Sequence, residues 1–291
     1  MENQEHILGS SLESINGISI EEIVERLGSY VSQECTEGAI ALLSAMLRYE
    51  YPLKIIGILE NEDTNAEFCF VTENGERITL VLELMDTIPE DMNVVSLKTE
   101  WFLRETNIDK NYWYTYLEEN NMLYVRVNRF YEDANAPALE FQQQLMEEIK
   151  DAPENTRLVM DFRNNSGGYL YLFDFEKIVQ EVNQREDIKT FLLINEKSYS
   201  AASAVPWAFH NKINNAKLVG APAGQAPTNF GNPKEYKMPN SKNIVVIARA
   251  YWEITTDYAY ETLIPDITIY QTLEDYKQGI DTVLEAVKEM K

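Results

Sequence analysis

The chain is short of the residues that usually advertise a function. It has two cysteines, Cys35 and Cys69, in 291 residues, and they form no C-x-x-C. A disulfide framework and a thiolate zinc site are therefore not expected, and two free, partly buried thiols are. It has two histidines, His6 and His210, and no H-E-x-x-H, so no metal site is expected. Positive charge is scarce: 25 Lys and Arg stand against 48 Asp and Glu, a net charge of −23. A phosphate backbone would be repelled, which argues against nucleic acid. No stretch approaches the ~20 apolar residues of a membrane span, and the longest, "GAIALLSAML" (38–47), reads as a buried helix. The opening "MENQEHILGS" is polar and acidic, unlike a secretory signal, which predicts a cytoplasmic protein if the chain is complete.

What remains is a chain with 45% apolar residues, enough for two domains. In "LESINGISIEEIVERL" (12–27), Asn16-Gly17 is a turn pair. Ser19 is an expected N-cap, with Glu22 closing a capping box. Ile20, Ile23, Val24 and Leu27 recur at helical spacing. A helix is expected over 37–49, then strands over 53–60, 67–72 and 77–84. The boundary falls in the mixed stretch 86–110, giving segments 1–95 and 96–291. The second opens with an aromatic-rich hairpin (112–130) and a helix (138–150). Strands at 157–163, 190–196, 217–220 and 243–252 then alternate with helices at 169–182 and about 200–213, and a closing helix covers 272–290. Near-continuous apolar strands alternating with helices predict an α/β layer with a mostly parallel sheet.

Two strand-to-helix turns carry candidate chemistry. "LVMDFRNNSGG" (158–168) ends on paired glycines, which let backbone N–H groups approach a ligand, as an oxyanion site requires. An ordinary turn would read the same way. "FLLINEKSYSAAS" (191–203) places Ser200 at a helix N-terminus, where unpaired N–H groups favour an anion. The competing reading makes Ser200 or Ser203 a simple cap. Pro206 fits best in a first turn, which would favour Ser203.

Taken in order, "LVMDFRNNSGG", "FLLINEKSYSAAS", "AKLVGAPAG", "MPNSKNIVV" and "LIPDITIYQTLEDYKQGIDTVLEAV" resemble the C-terminal processing (tail-specific) serine peptidases over about residues 112–291. The family's D-[LF]-R-x-N-x-G-G turn matches at Asp161, Arg163, Asn165, Gly167 and Gly168. Its T-x-S-[AS]-[AS]-E segment matches at Ser198–Ser203 and puts the nucleophile on Ser200. Its P-D-[IV] matches Pro265, Asp266 and Ile267, and its D-x-x-L matches Asp281 and Leu284. The resemblance implies a crotonase-like core, with Gly167 or Gly168 and Ala201 as oxyanion-hole backbone. It also implies a PDZ-like first segment, its upstream part lying before Met1, that takes peptide or protein C-terminal tails. An extracytoplasmic location follows from the same likeness. No cofactor is implied.

The pattern departs from the family at the base. Gln225 stands where a lysine is expected, and a primary amide accepts no proton near neutral pH. Ser203 replaces the acidic residue that often follows the nucleophile. Lys197, His210 and His6 are the other candidate bases, and relatives resembling the tricorn core draw a histidine from further upstream. The leading expectation is a serine peptidase acting through Ser200. The alternatives are a non-catalytic peptide-binding relative and a crotonase-type acyl-CoA enzyme, the last disfavoured by an acidic chain with no evident cradle for CoA phosphates.

Overall fold

The structure is a computed structural model that describes residues 7–31, 35–47, 49–84, 97, 100–256 and 262–290. Of the stretch 86–110, in which the sequence places its domain boundary, residues 86–96, 98 and 99 lie outside the described residues, and so does His6. The chain forms two compact units. One comprises Met1–Gln33, Ala39–Trp101 and Thr272–Ile280; the other comprises Glu34–Gly38, Phe102–Gln271 and Asp281–Lys291.

The first unit is built on an antiparallel sheet in the order β2-β1-β3-β4, from β1 (Ser11–Ile15), β2 (Ile18–Ser19), β3 (Asn65–Val71) and β4 (Arg77–Glu83). Helix α1 (Ile20–Gly28) starts where the sequence places it, with Ser19 Oγ accepting the Glu22 N–H at 3.3 Å. The expected capping box does not close, because Arg26, one turn on, takes the Glu22 carboxylate in an ion pair. Helix α2 is Thr36–Met46. The expected strand over 53–60 is instead helix α3 (Glu50–Ile55) followed by a turn at Gly57, φ +74°. A short apolar run fits either state, and here packing decides. Leu53, Ile56, Ile58 and Leu59 all enter the core with Ile15, Ile23, Leu27 and Phe68.

The second unit holds a six-stranded sheet in the order β12-β9-β8-β7-β6-β5, from β5 (Tyr112–Leu117), β6 (Met122–Val127), β7 (Arg157–Asp161), β8 (Lys189–Ile194), β9 (Ala216–Gly220) and β12 (Ile267–Thr268). Only the β5–β6 pair is antiparallel. Helices α4 (Ala138–Asp151), α5 (Phe175–Asn183) and α6 (Ala201–Lys212) accompany it. Leu158, Met160 and Leu192 join the core that includes α4, α5 and α6, while Val159, Phe191 and Leu193 join one that includes Val283, Leu284 and Val287. Apolar burial on both faces is why these strands read as unbroken apolar runs.

Three expectations here need correction. Helix α5 begins at Phe175 rather than 169, because Asp174 caps it by accepting the Lys177 N–H. The single closing helix is two, α7 (Leu273–Lys277) and α8 (Thr282–Glu289), interrupted at Gly279, φ +71°. The strand expected at 243–252 is β11 (Ile244–Trp252), but it is not part of the parallel sheet. It pairs with β10 (Asn229–Lys237) in a separate two-stranded hairpin.

Candidate active site

Strands β7 and β8 are parallel neighbours, so their carboxyl ends deliver the 162–168 turn and the 195–200 turn side by side. Open α/β sheets commonly bind ligands at such ends. The two turns are stitched together. Asn195 Nδ2 donates to Asn164 Oδ1 at 2.8 Å, the Asn164 N–H donates to Asn195 Oδ1 at 2.9 Å, and the Tyr199 N–H donates to Asn165 O at 2.9 Å. Buried Ser198 donates to Phe162 O at 3.0 Å. Asn164 and Asn195 carry no catalytic signature, and only the adjacency of the strand ends reveals their part.

Ser200 is half-buried at the N-terminus of α6 with φ +57° and ψ −121°. No L-residue region covers those angles, and such backbone typically costs about 1–3 kcal/mol. A side chain held there is aimed by the surrounding structure, not by its own preference. Its hydroxyl caps nothing, and among the described residues Ser200 Oγ has no hydrogen-bond partner. Ser203 is not the cap either. It lies inside the first turn, buried, and donates to Ser200 O at 3.0 Å and Ala226 O at 3.1 Å. Pro206 sits within α6 instead of opening it, in a stretch, 201–206, that is wholly buried, where packing outweighs one lost helical hydrogen bond.

Gly167 touches Ser200 directly. A Cβ on Gly167 (φ +93°) would come within 2.6 Å of Ser200 Cβ and 2.7 Å of Tyr199 O. A Cβ on Gly168 (φ +134°) would overlap the Phe130 carbonyl. Both glycines are therefore required for the close approach. The Gly167 N–H is already used, donating to Asn165 Oδ1 at 2.8 Å. The N–H groups of Gly168 and Ala201 donate to no protein acceptor among the described residues. Flanking them, Tyr131 and Tyr169 form an exposed edge-to-face pair, ring centroids 5.5 Å apart.

The candidate bases are placed as follows. Gln225 is buried, and its Oε1 accepts the backbone N–H of Ser200 at 2.8 Å. His210 Nε2 lies 2.9 Å from Asp266 Oδ2. It is ten residues along α6 from Ser200, hence roughly 15 Å away. Lys197 is exposed. Among the described residues no His, Cys, Asp and Glu cluster that could hold a metal occurs, and no helix is long and apolar enough to cross a membrane.

The fold is similar to that of mature CPAF. The match to that structure has a TM-score of 0.61 at 12% identity, covering 99% of this chain and 77% of CPAF. The structure of mature CPAF complexed with lactacystin gives 0.57 at 12%, over 97% and 77%. A putative peptidase from Parabacteroides merdae also matches, at 18% identity over 66% of each chain, with a TM-score of 0.40. No family model and no curated protein matches the chain. The likeness to CPAF is one of fold.

As in any site built on strand ends, the turn needs an anchor, and in this CPAF-like fold the matched Asp161 and Arg163 supply it. Asp161 accepts from Tyr124 at 2.7 Å, from Arg163 Nη2 at 2.6 Å and from Arg126 Nη1 at 3.2 Å. Arg163 continues to Asp281 at 2.7 and 2.8 Å, and Arg104 pairs with Asp281 from the other side. Burial opposes ionisation of Asp161, but Arg163 and Arg126 outweigh it and hold the carboxyl well below the usual range. Asp281 shifts the same way: burial opposes ionisation and Arg163 outweighs it. Burial, with the Asp161 charge beside it, pushes the Tyr124 hydroxyl far above its ordinary value. Asp281 also caps α8 by accepting the Leu284 N–H at 3.2 Å, which accounts for the D-x-x-L spacing. Asp266 accepts the Leu218 N–H at 2.8 Å, tying β9 to the residue before β12.

Proposed function

We propose that this chain is a serine-peptidase-type hydrolase of the tail-specific kind, with a crotonase-like core and a PDZ-like first unit, acting on peptides at Ser200. The observation that carries this reading is the forced backbone of Ser200, at φ +57° beside Gly167 and at the start of α6. Ser200 Oγ attacks the peptide carbonyl. The N–H groups of Gly168 and Ala201, with the positive end of α6, receive the oxyanion. The peptide tail is held as a strand added to an edge of the first unit's sheet.

Catalysis in this chain is slow, because no general base reaches Ser200 Oγ among the described residues. Gln225, in the place of the lysine, is an acceptor for a backbone N–H and cannot take the hydroxyl proton. General-base help is worth about 10²–10⁴-fold, whereas an oxyanion site still acts alone. The same observation favours a second reading, in which peptides are bound and not cut.

Labelling with a fluorophosphonate probe, read by intact mass and peptide mapping, tests the proposal. Slow, saturable labelling of Ser200 that is lost in Ser200→Ala supports the hydrolase reading. No labelling of folded protein at any time sinks it and leaves the binding reading, which calorimetry against a C-terminal peptide library then decides.

A further inference from the structure

The hairpin β10–β11 is unlike the rest of the molecule in both packing and charge. We propose that it is an arm that docks onto a second copy of this chain. The inference is independent of the reading of Ser200.

A surface hairpin ordinarily buries one face and alternates apolar with polar residues. Here four β-branched residues run consecutively and both faces are bare. Ile244 and Val246, on one face, are each 60% exposed; Val245 and Ile247, on the other, are 40% and 51% exposed. Tyr236 and Met238, 42% and 44% exposed, extend this apolar surface across to β10 and its turn. An isolated two-stranded hairpin is marginal in water, so such surface is stabilised by being covered.

The two strands are also treated differently. Strand β10 carries Pro233, Lys234, Glu235 and Lys237, the residues that blunt an exposed edge. Strand β11 carries no charge from Ile244 to Ala248. Its one cation, Arg249, is turned back to Asn232, with Nη2 3.1 Å from Asn232 Oδ1.

Charge names the occupant. Residues 229–252 hold Lys234, Lys237, Lys242 and Arg249 against Glu235, a net of +3, which leaves −26 on the rest of a chain whose total is −23. A basic, apolar arm on an acidic body is complementary to the body of an identical chain, and a two-fold axis lets each arm lie on the other copy. An anionic membrane would also attract the arm's cations, but the apolar residues line the shaft. The tip, 239–243, reads "PNSKN", which offers nothing to insert into lipid.

Sedimentation velocity of the full chain over a concentration series tests the proposal. A monomer–dimer equilibrium is expected. Val246→Asp with Ile247→Asp should weaken it about 100-fold, and Lys234→Glu with Lys237→Glu about 10-fold, as should high salt on the wild type. Circular dichroism melting checks that each variant is folded. Should the aspartate pair fail to fold, hydrogen exchange on the wild type decides: amides of 244–247 gain protection on concentration if the arm docks. A wild type that stays monomeric at every concentration overturns the proposal. So does a dimer indifferent to the folded aspartate variant, an absence of gained protection at 244–247, or a monomeric chain that co-sediments with phosphatidylserine vesicles through this hairpin.

Discussion

The side-chain oxygen of Gln225 accepts the backbone N–H of Ser200 at 2.8 Å. Gln225 thus holds the Ser200 peptide rather than its hydroxyl. Gln225→Ala should cost about 1–3 kcal/mol, the penalty for stranding a largely buried donor. Gln225→Glu keeps an acceptor and should cost less, whereas Gln225→Lys removes the acceptor and buries a cation. Denaturant unfolding ranks the three. A lysine variant as stable as the wild type would show that the amide contact contributes nothing.

Ser200→Gly should raise stability by about 1 kcal/mol, because glycine adopts positive φ without steric cost while the strain at serine is of order 1–3 kcal/mol. Ser200→Ala should give no such gain. Thermal melts of the two variants against the wild type make the comparison, and equal behaviour would refute the strain assigned to this residue.

Gly167→Ala should destabilise by at least about 2 kcal/mol, since the new methyl meets both a φ of +93° and the atoms of Ser200 and Tyr199. Gly75→Ala, at φ +80° in open space, isolates the backbone contribution and should cost only about 1 kcal/mol. The difference between the two, read from urea unfolding, measures how tightly the turn is pressed on Ser200.

Asp281→Asn keeps a side-chain cap for α8 but removes the charge facing Arg163 and Arg104. Breaking a buried pair of this kind costs about 3–5 kcal/mol. A loss confined to a few tenths of a kcal/mol would mean that the network is replaceable and that the 162–168 turn is anchored elsewhere.

Acid should find the same network. Asp161 and Asp281 titrate below the ordinary carboxylate range when folded, and near ~3.9 when unfolded. As pH falls the unfolded chain binds these protons first. Their stabilisation is therefore complete above about pH 5 and is lost as pH drops toward the folded values. Unfolding free energies measured between neutral pH and about pH 3 should fall steeply at the acid end. Asp281→Asn should flatten that slope.

Much of the architecture was legible from local chemistry. The alternating strands and helices of the second unit follow from apolar period and turn residues, and Ser19 could be recognised as a cap because its partner is three residues away. The approach of Gly167 to Ser200 was foreshadowed by two turns of the right composition, although nothing in either turn states that β7 and β8 are adjacent. What no local pattern contains is the identity of distant partners. Arg163 meets Asp281 across 118 residues, and Gln225 meets the Ser200 peptide across 25. The run over 53–60 reads as a strand, yet it folds as a helix and a turn because Leu53, Ile56 and Ile58 find a core to enter. Strand β11 has the apolar composition of a central strand, yet it stands outside the main sheet, because β9 is flanked by β8 and β12. Secondary structure answers mainly to neighbours in sequence, whereas a hydrogen-bond acceptor, a counter-ion or a sheet position is assigned only when the folded chain brings its other half alongside.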